Sequence, residues 1–83
     1  MNEDRIGMLA RAKAGHDAGK IYVIMDVKDE YVYLSDGRIR KMANPKKKKS
    51  KHIQLIGRQY DVSLADDAQI RRILKEFNKE EEI

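Results

Sequence analysis

Five lysines occupy the six positions from Lys46 to Lys51, interrupted only by Ser50. Such a run offers one chemistry, the attraction of phosphates, because each ammonium is a compact point charge that grips a polyanion backbone without reading its sequence. The run lies inside a longer acid-free segment: between Arg38 and Arg58 stand nine Lys/Arg residues and no Asp or Glu, half of the chain's 18 positive charges. Residues 1–37 carry five bases against seven acids and residues 59–83 four against seven, so a formal net charge of +4 conceals a strong separation of sign. A localised positive field draws in RNA, DNA or an anionic membrane surface. Lys41, Lys46, Lys47, Lys48, Lys49 and Lys51 supply point charges, while Arg38, Arg40 and Arg58 supply planar forks that match paired phosphate or base-edge acceptors. Neutralising about five phosphates implies a slope of log K against log salt of roughly −3.5 to −4.5.

A second group precedes it. Gly15 and Gly19 bracket a tight loop in which the backbone must take positive φ or approach a ligand closely, and Lys13, His16 and Lys20 surround that loop with hydrogen-bond donors. His16 and His52 are isolated imidazoles in a chain without cysteine, which reads as donors to backbone or phosphate rather than metal ligands. No metal and no cofactor is expected. Tyr22, Tyr31 and Tyr33 have the type that stacks on bases, and equally the type that packs well in strands. Catalysis finds no support, since there is no thiol nucleophile, no GxxxxGKS/T phosphate loop, no HExxH pair, and no glycine elbow around Ser35 or Ser63. The other reading is a protein-interaction module that docks an acidic partner through its β domain or its C-terminal helix. The run PKKKKSK also has the form of a nuclear import signal in a eukaryotic chain.

Short elements must position these groups. Apolar Ile21 to Val27 and Tyr31 to Leu34, separated by Lys28-Asp29-Glu30, predict two strands joined as a hairpin. Asp36-Gly37 is a strong tight-turn signal and predicts a further β element beginning near Arg38. Residues 6–13 form an opening strand with Gly7 as a bulge, and residues 52–56 a closing strand. Asn44-Pro45 ends regular structure, so residues 44–51 are expected to form an extended, mobile basic loop kept open by self-repulsion. Five strands in under 60 residues favour a small barrel, whose closure hides sheet edges. The period then changes: Ile70, Ile73, Leu74 and Phe77 fall at helical spacing, predicting an amphipathic helix from about Leu64 to Lys79, N-capped by Ser63 with Asp66 and lidding an open end of the barrel. Tyr60 stands in the linker as an anchor for it. With 83 residues the chain is one small domain with a thin core. The absence of cysteine fits a reducing, cytoplasmic setting, and neither a membrane span nor a signal peptide is legible.

Residues 6–28, IGMLARAKAGHDAGKIYVIMDVK, resemble the KOW motif, a strand, glycine-containing loop and strand found in ribosomal proteins and transcription elongation factors. The stretch DGRIRKMANPKKKKSKHIQLI resembles the corresponding part of bacterial KOW-domain RNA-binding proteins, short relatives of KOW-bearing large-subunit ribosomal proteins of archaea and eukaryotes. The resemblance runs from Ile6 to Ile56 with a similar C-terminal helix. Many KOW motifs carry another glycine shortly after the one matched by Gly19, where this chain has Ile21 and Tyr22. What the resemblance implies is a mainly β fold, a small SH3-like barrel of about five strands over residues 1–58, with linker and helix packed on it over residues 59–83. It implies further a monomeric RNA-binding protein whose partners are ribosomal RNA and ribosomal proteins, with contacts at Lys13, Gly15, His16, Gly19, Lys20, the basic segment and the closing Lys51-His52.

Overall fold

A computed structural model describes residues 3–81. Five antiparallel strands form one sheet, followed by one helix: β1 (Met8–Ala12), β2 (Ile21–Lys28), β3 (Tyr31–Ser35), β4 (Lys46–Lys49), β5 (Ile53–Gln59) and α1 (Asp67–Glu81). The expected class, mainly β with a C-terminal amphipathic helix, is what the structure has. Strand order is β4-β3-β2-β1-β5, so β4 and β5 are the two edges although they are consecutive in the chain. The 3-10 turn Ser50–His52 alone joins them. Four strand spacings in a flat sheet amount to about 19 Å, whereas a 3-10 turn advances only about 2 Å per residue. The sheet must therefore curl into a barrel-like form, and two hydrogen bonds record the closure: Ser50 N–H donates to the Glu30 carbonyl at the β2–β3 turn (2.8 Å), and Lys13 N–H donates to the His52 carbonyl (2.9 Å).

β1 and β2 are covered on both faces, which explains their nearly unbroken apolar sequence. Side chains alternate along each strand. Ala10, Ala12, Tyr22 and Ile24 face the barrel interior with Val32, Leu34 and Ile53, while Leu9 and Val23 on the opposite face meet Ile70, Ile73, Leu74 and Phe77 of α1. The helix thus packs against the outer face of β1 and β2, not over an open barrel end as expected. The residues of its apolar stripe are those the periodicity identifies, all buried. Its start is later than expected: Asp66 Oδ1 accepts the Gln69 N–H (2.8 Å), whereas Ser63 donates both its N–H and its hydroxyl to Asp61 Oδ1 (3.0 and 2.7 Å). That local Asx turn takes Ser63 out of competition for the cap. Tyr60 packs against the α1 cluster, and its N–H donates to the Gly7 carbonyl (2.9 Å). Gly7, expected as a bulge, adjoins the register shift between Met8 and Leu9.

Asp36-Gly37 does not turn a hairpin. No strand begins near Arg38; residues 36–45 form an irregular connection in which Asp36 Oδ1 accepts the N–H groups of Arg38 and Arg40 (2.9 Å each), and β4 begins at Lys46. This loop is tied to the start of α1 by Arg71 Nη1 donating to the Gly37 carbonyl (2.7 Å) and Met42 N–H donating to Asp67 Oδ1 (2.8 Å). Gly37 has φ +74°, and a Cβ there would lie 2.5 Å from the Asp67 carbonyl oxygen. Its glycine is required by contact with the helix, an interaction between residues far apart in sequence.

Replacing Ile73 by Asp places a carboxylate without a partner in the helix–sheet interface and is expected to cost several kcal/mol, of the order of a small domain's whole stability. Leu64→Asp, at a position 96% exposed, serves as the control. Thermal unfolding followed by circular dichroism should show a large fall in Tm for the first variant and none for the second; equal midpoints would contradict this packing.

Candidate nucleic-acid interface

The lysine run is strand β4 and not a mobile loop. It pairs with β3 in the register Tyr31↔Lys49, Val32↔Lys48, Tyr33↔Lys47 and Leu34↔Lys46, so β3, an edge of apolar and aromatic residues, supplies the backbone partners. Strand geometry then sends alternate lysines to opposite faces. Lys46 and Lys48 converge on Asp17, with Nζ atoms 3.2 Å and 3.0 Å from its two carboxylate oxygens. On the other face Lys47 lies over the ring of Tyr31, 4.3 Å from its centroid, and Lys49 reaches Glu30 at 3.6 Å. Each of the four charges has a counterpart, and self-repulsion is thereby relieved.

Asp17 comes from the loop between β1 and β2, residues 13–20. The loop is closed by Ala12 N–H donating to the Lys20 carbonyl (2.9 Å) and Gly19 N–H donating to the Ala12 carbonyl (2.8 Å). Gly15 and Gly19 have φ of +86° and +90°, as the sequence spacing requires. Around Gly19 a Cβ would meet nothing within 4 Å, so the left-handed backbone alone calls for glycine there. Asp17 is 6% exposed and accepts the Tyr22 hydroxyl at 3.3 Å; Lys48 Nζ bridges it to the Ala14 carbonyl (3.0 Å). A single carboxylate thus fastens the loop onto β4. Burial by itself would raise the Asp17 pKa, but hydrogen bonds from Lys48 and Lys46 outweigh it and hold the carboxyl at about 2. Burial and the neighbouring Asp17 charge push the Tyr22 hydroxyl up to about 12.

The antiparallel topology puts the start of β2, the end of β3 and the start of β4 at one end of the barrel. The 13–20 and 36–45 loops therefore share that end, and the bond from Lys13 to His52 brings the last residue of the Ser50–His52 turn to it, while Ser50 at the start of that turn is bonded to Glu30 at the opposite, β2–β3 end. Lys13, His16, Lys20 and His52 are exposed around this rim, as are Arg38 and Lys41 on the neighbouring loop, with Arg40 half-buried beside them; Lys51 is exposed on the turn that leads from the β2–β3 end to His52. Arg58 is elsewhere. It forms a bidentate pair with Glu80 of α1, its Nη2 2.8 Å from Oε1, and its guanidinium stands 5.7 Å from the Phe77 ring centroid. Glu80 raises the Arg58 pKa and is itself lowered by it. Arg58 holds the helix to β5, so the expected contact with RNA does not suit its position. Tyr22 is in the core, while Tyr31 is engaged by Lys47. Arg5, which no sequence pattern singles out because it stands alone in an acidic segment, lines a cleft with Glu30, Lys49, Ser50 and Lys51. A larger concavity, about 580 Å³, lies between Ile6, Met25 and residues 59–63 and contains no cationic side chain. Among the described residues no cluster of three or more His, Cys, Asp or Glu side chains is placed to hold a metal ion, and no helix is long and apolar enough to cross a membrane.

Comparison with protein-family models and with curated proteins finds no match.

The ion pairs at Asp17 have a definite pH signature. A carboxyl whose folded pKa is about 2 against an ordinary 3.8 contributes stability that is complete above the ordinary value and is lost as pH falls through the folded one. Urea unfolding between pH 5 and pH 2 should show this loss in the wild type and a flatter profile in Asp17→Asn, which at neutral pH should be less stable by about 1 to 3 kcal/mol. Identical profiles for the two proteins would remove Asp17 from its structural role. Valine at Gly15 or Gly19 should cost more than about 1 kcal/mol in the same assay, since a β-branched residue is strained at positive φ.

Proposed function

We propose that this chain is a non-catalytic RNA-binding protein, ribosome-associated in the cytoplasm, that binds structured ribosomal RNA through the rim formed by the 13–20 loop, the Ser50–His52 turn and β4. The observation that carries the reading is the distribution of charge around that rim. Lys13 and Lys20 flank a loop whose one carboxylate, Asp17, is buried and already paired, and Lys47 and Lys51, exposed on the opposite face of β4 and on the turn after it, extend the positive surface. Phosphates approaching it meet ammonium groups and imidazoles. The likeness of residues 6–28 to the KOW motif supports the same partner, and Gly15 and Gly19 of its loop both take positive φ.

The gripping residues differ from those suggested by the lysine run alone. Lys48 is only 12% exposed at its side chain and bonded twice, so it contributes to folding more than to phosphate contact. The four exposed lysines at the rim correspond to a salt slope of roughly −3 to −3.5. Rigid shape rather than base reading suits recognition of a folded RNA helix, since lysines carry no sequence information.

Replacing Lys13, Lys20 and Lys51 together by alanine should weaken binding to all structured RNAs about equally and flatten the salt slope by roughly 2 to 3 units, with no change in Tm. In lysate the wild type should sediment with ribosomal particles at low salt and the triple variant should not. Binding that is indifferent to salt and to nuclease would instead identify a protein-interaction module with an acidic partner.

A further inference from the structure

The cleft lined by Arg5, Glu30, Lys49, Ser50 and Lys51 has a volume of about 360 Å³. It lies at the closure of the barrel, where the 3-10 turn Glu3–Arg5, the β2–β3 turn, the end of β4 and the 3-10 turn Ser50–His52 meet. Three cationic side chains from three separate elements face one carboxylate. Glu30 is a weak competitor: its side chain is 66% exposed and its oxygen is 3.6 Å from Lys49 Nζ, longer than a hydrogen bond. This contrasts with the other half of β4, where Asp17 is buried and holds Lys46 and Lys48 at hydrogen-bond distance. The strand is thus divided into a half whose charges are consumed internally and a half whose charges remain attractive to an anion.

The floor of the cleft is fixed. Ser50 donates both its N–H (2.8 Å) and its hydroxyl (2.9 Å) to the Glu30 carbonyl, locking the turn that presents Lys51 against the turn that precedes β3. The volume is near the lower end of the range of small-molecule sites and suits one phosphate with its attached sugar. Arg5 brings the group best shaped to receive two phosphate oxygens at once.

We infer that this cleft is a second phosphate-binding subsite, separate from the 13–20 loop, in which Arg5, Lys49 and Lys51 receive a backbone phosphate of the bound RNA. The inference rests on the RNA-binding reading for the source of the phosphate, and on the cleft alone for its chemistry. A strand of RNA then runs from the loop past the outer face of β4 to the barrel closure, with Lys51 shared by both subsites.

Arg5 lies far from the acid-free segment, which makes it a discriminating probe. Binding of a short RNA hairpin should be measured over a potassium chloride series for the wild type, Arg5→Ala, Arg5→Lys, and Arg72→Ala as a control at an exposed helix position. The expected result is that Arg5→Ala weakens binding roughly five- to tenfold and flattens the salt slope by about one unit, that Arg5→Lys restores the slope, and that Arg72→Ala changes neither. An Arg5→Ala protein that behaves like Arg72→Ala, at equal Tm, would overturn the subsite. Should the wild type not bind the hairpin at all, the RNA reading fails, and titration with inorganic pyrophosphate followed at the Ser50 and Lys51 amides judges the cleft by itself. Shifts that disappear in Arg5→Ala establish an anion site for a free phosphate, and their absence in the wild type refutes it.

Discussion

The carboxylate of Asp17 is the contact on which the arrangement of β4 and the 13–20 loop depends. Four consecutive lysines repel one another, and a strand brings the side chains at alternate positions onto one face, so β4 is unfavourable until a negative charge is placed between Lys46 and Lys48. Asp17 provides it from a buried position, and the same contact anchors the 13–20 loop. Because Asp17 and Lys48 are largely withdrawn from water, with Lys46 more open, their pairing is screened by salt less than that of exposed pairs. Tyr22 and the Ala14 carbonyl complete the hydrogen bonding, which is the condition under which buried charge is tolerated rather than costly.

A second constraint sets where that end can be. The β1–β2 ribbon is buried on both faces, by the barrel interior and by α1, and the loop between its strands is therefore borne on the most deeply buried part of the fold. Arg58 and Arg11 fasten the far end of α1 through Glu80 and Glu81, while Arg71 and Asp67 fasten its start to the 36–45 loop. Three arginines outside the rim, Arg11, Arg58 and Arg71, are thus used to hold the helix, while Lys13, Lys20 and His16 at the rim are left exposed.

These two features bear on what kind of RNA would be held. A basic loop without structure adapts to any strand, whereas a strand of lysines with alternate charges neutralised presents few cations at set spacings. Fixed spacing favours a partner whose phosphates are themselves fixed, as in a folded helix. The cleft at the barrel closure extends the same logic, since its position is determined by the Ser50–Glu30 hydrogen bonds rather than by flexible side chains alone.

Much of the fold was legible locally. The apolar, β-branched and aromatic composition of residues 21–34, the period of 3.6 in residues 70–77 and the glycines of the 13–20 loop each report a local backbone preference, and such preferences act over a few residues without reference to the rest of the chain. The run Lys46 to Lys49 is the instructive exception: its own electrostatics argue for an open loop, and only a carboxylate 29 residues away from Lys46 and the free edge of β3 make it a strand. Asp36-Gly37 and Ser63 misled for the same reason, each carrying a real local signal that a distant or competing partner overrode, α1 in one case and Asp61 in the other. The candidate site was accordingly half readable. Net charge and residue type, which are additive along a sequence, identified the basic surface; which cations stay exposed, that Arg58 belongs to the helix, and that Arg5 joins Lys49 and Lys51 are matters of pairing across the closed sheet, and only tertiary structure decides them.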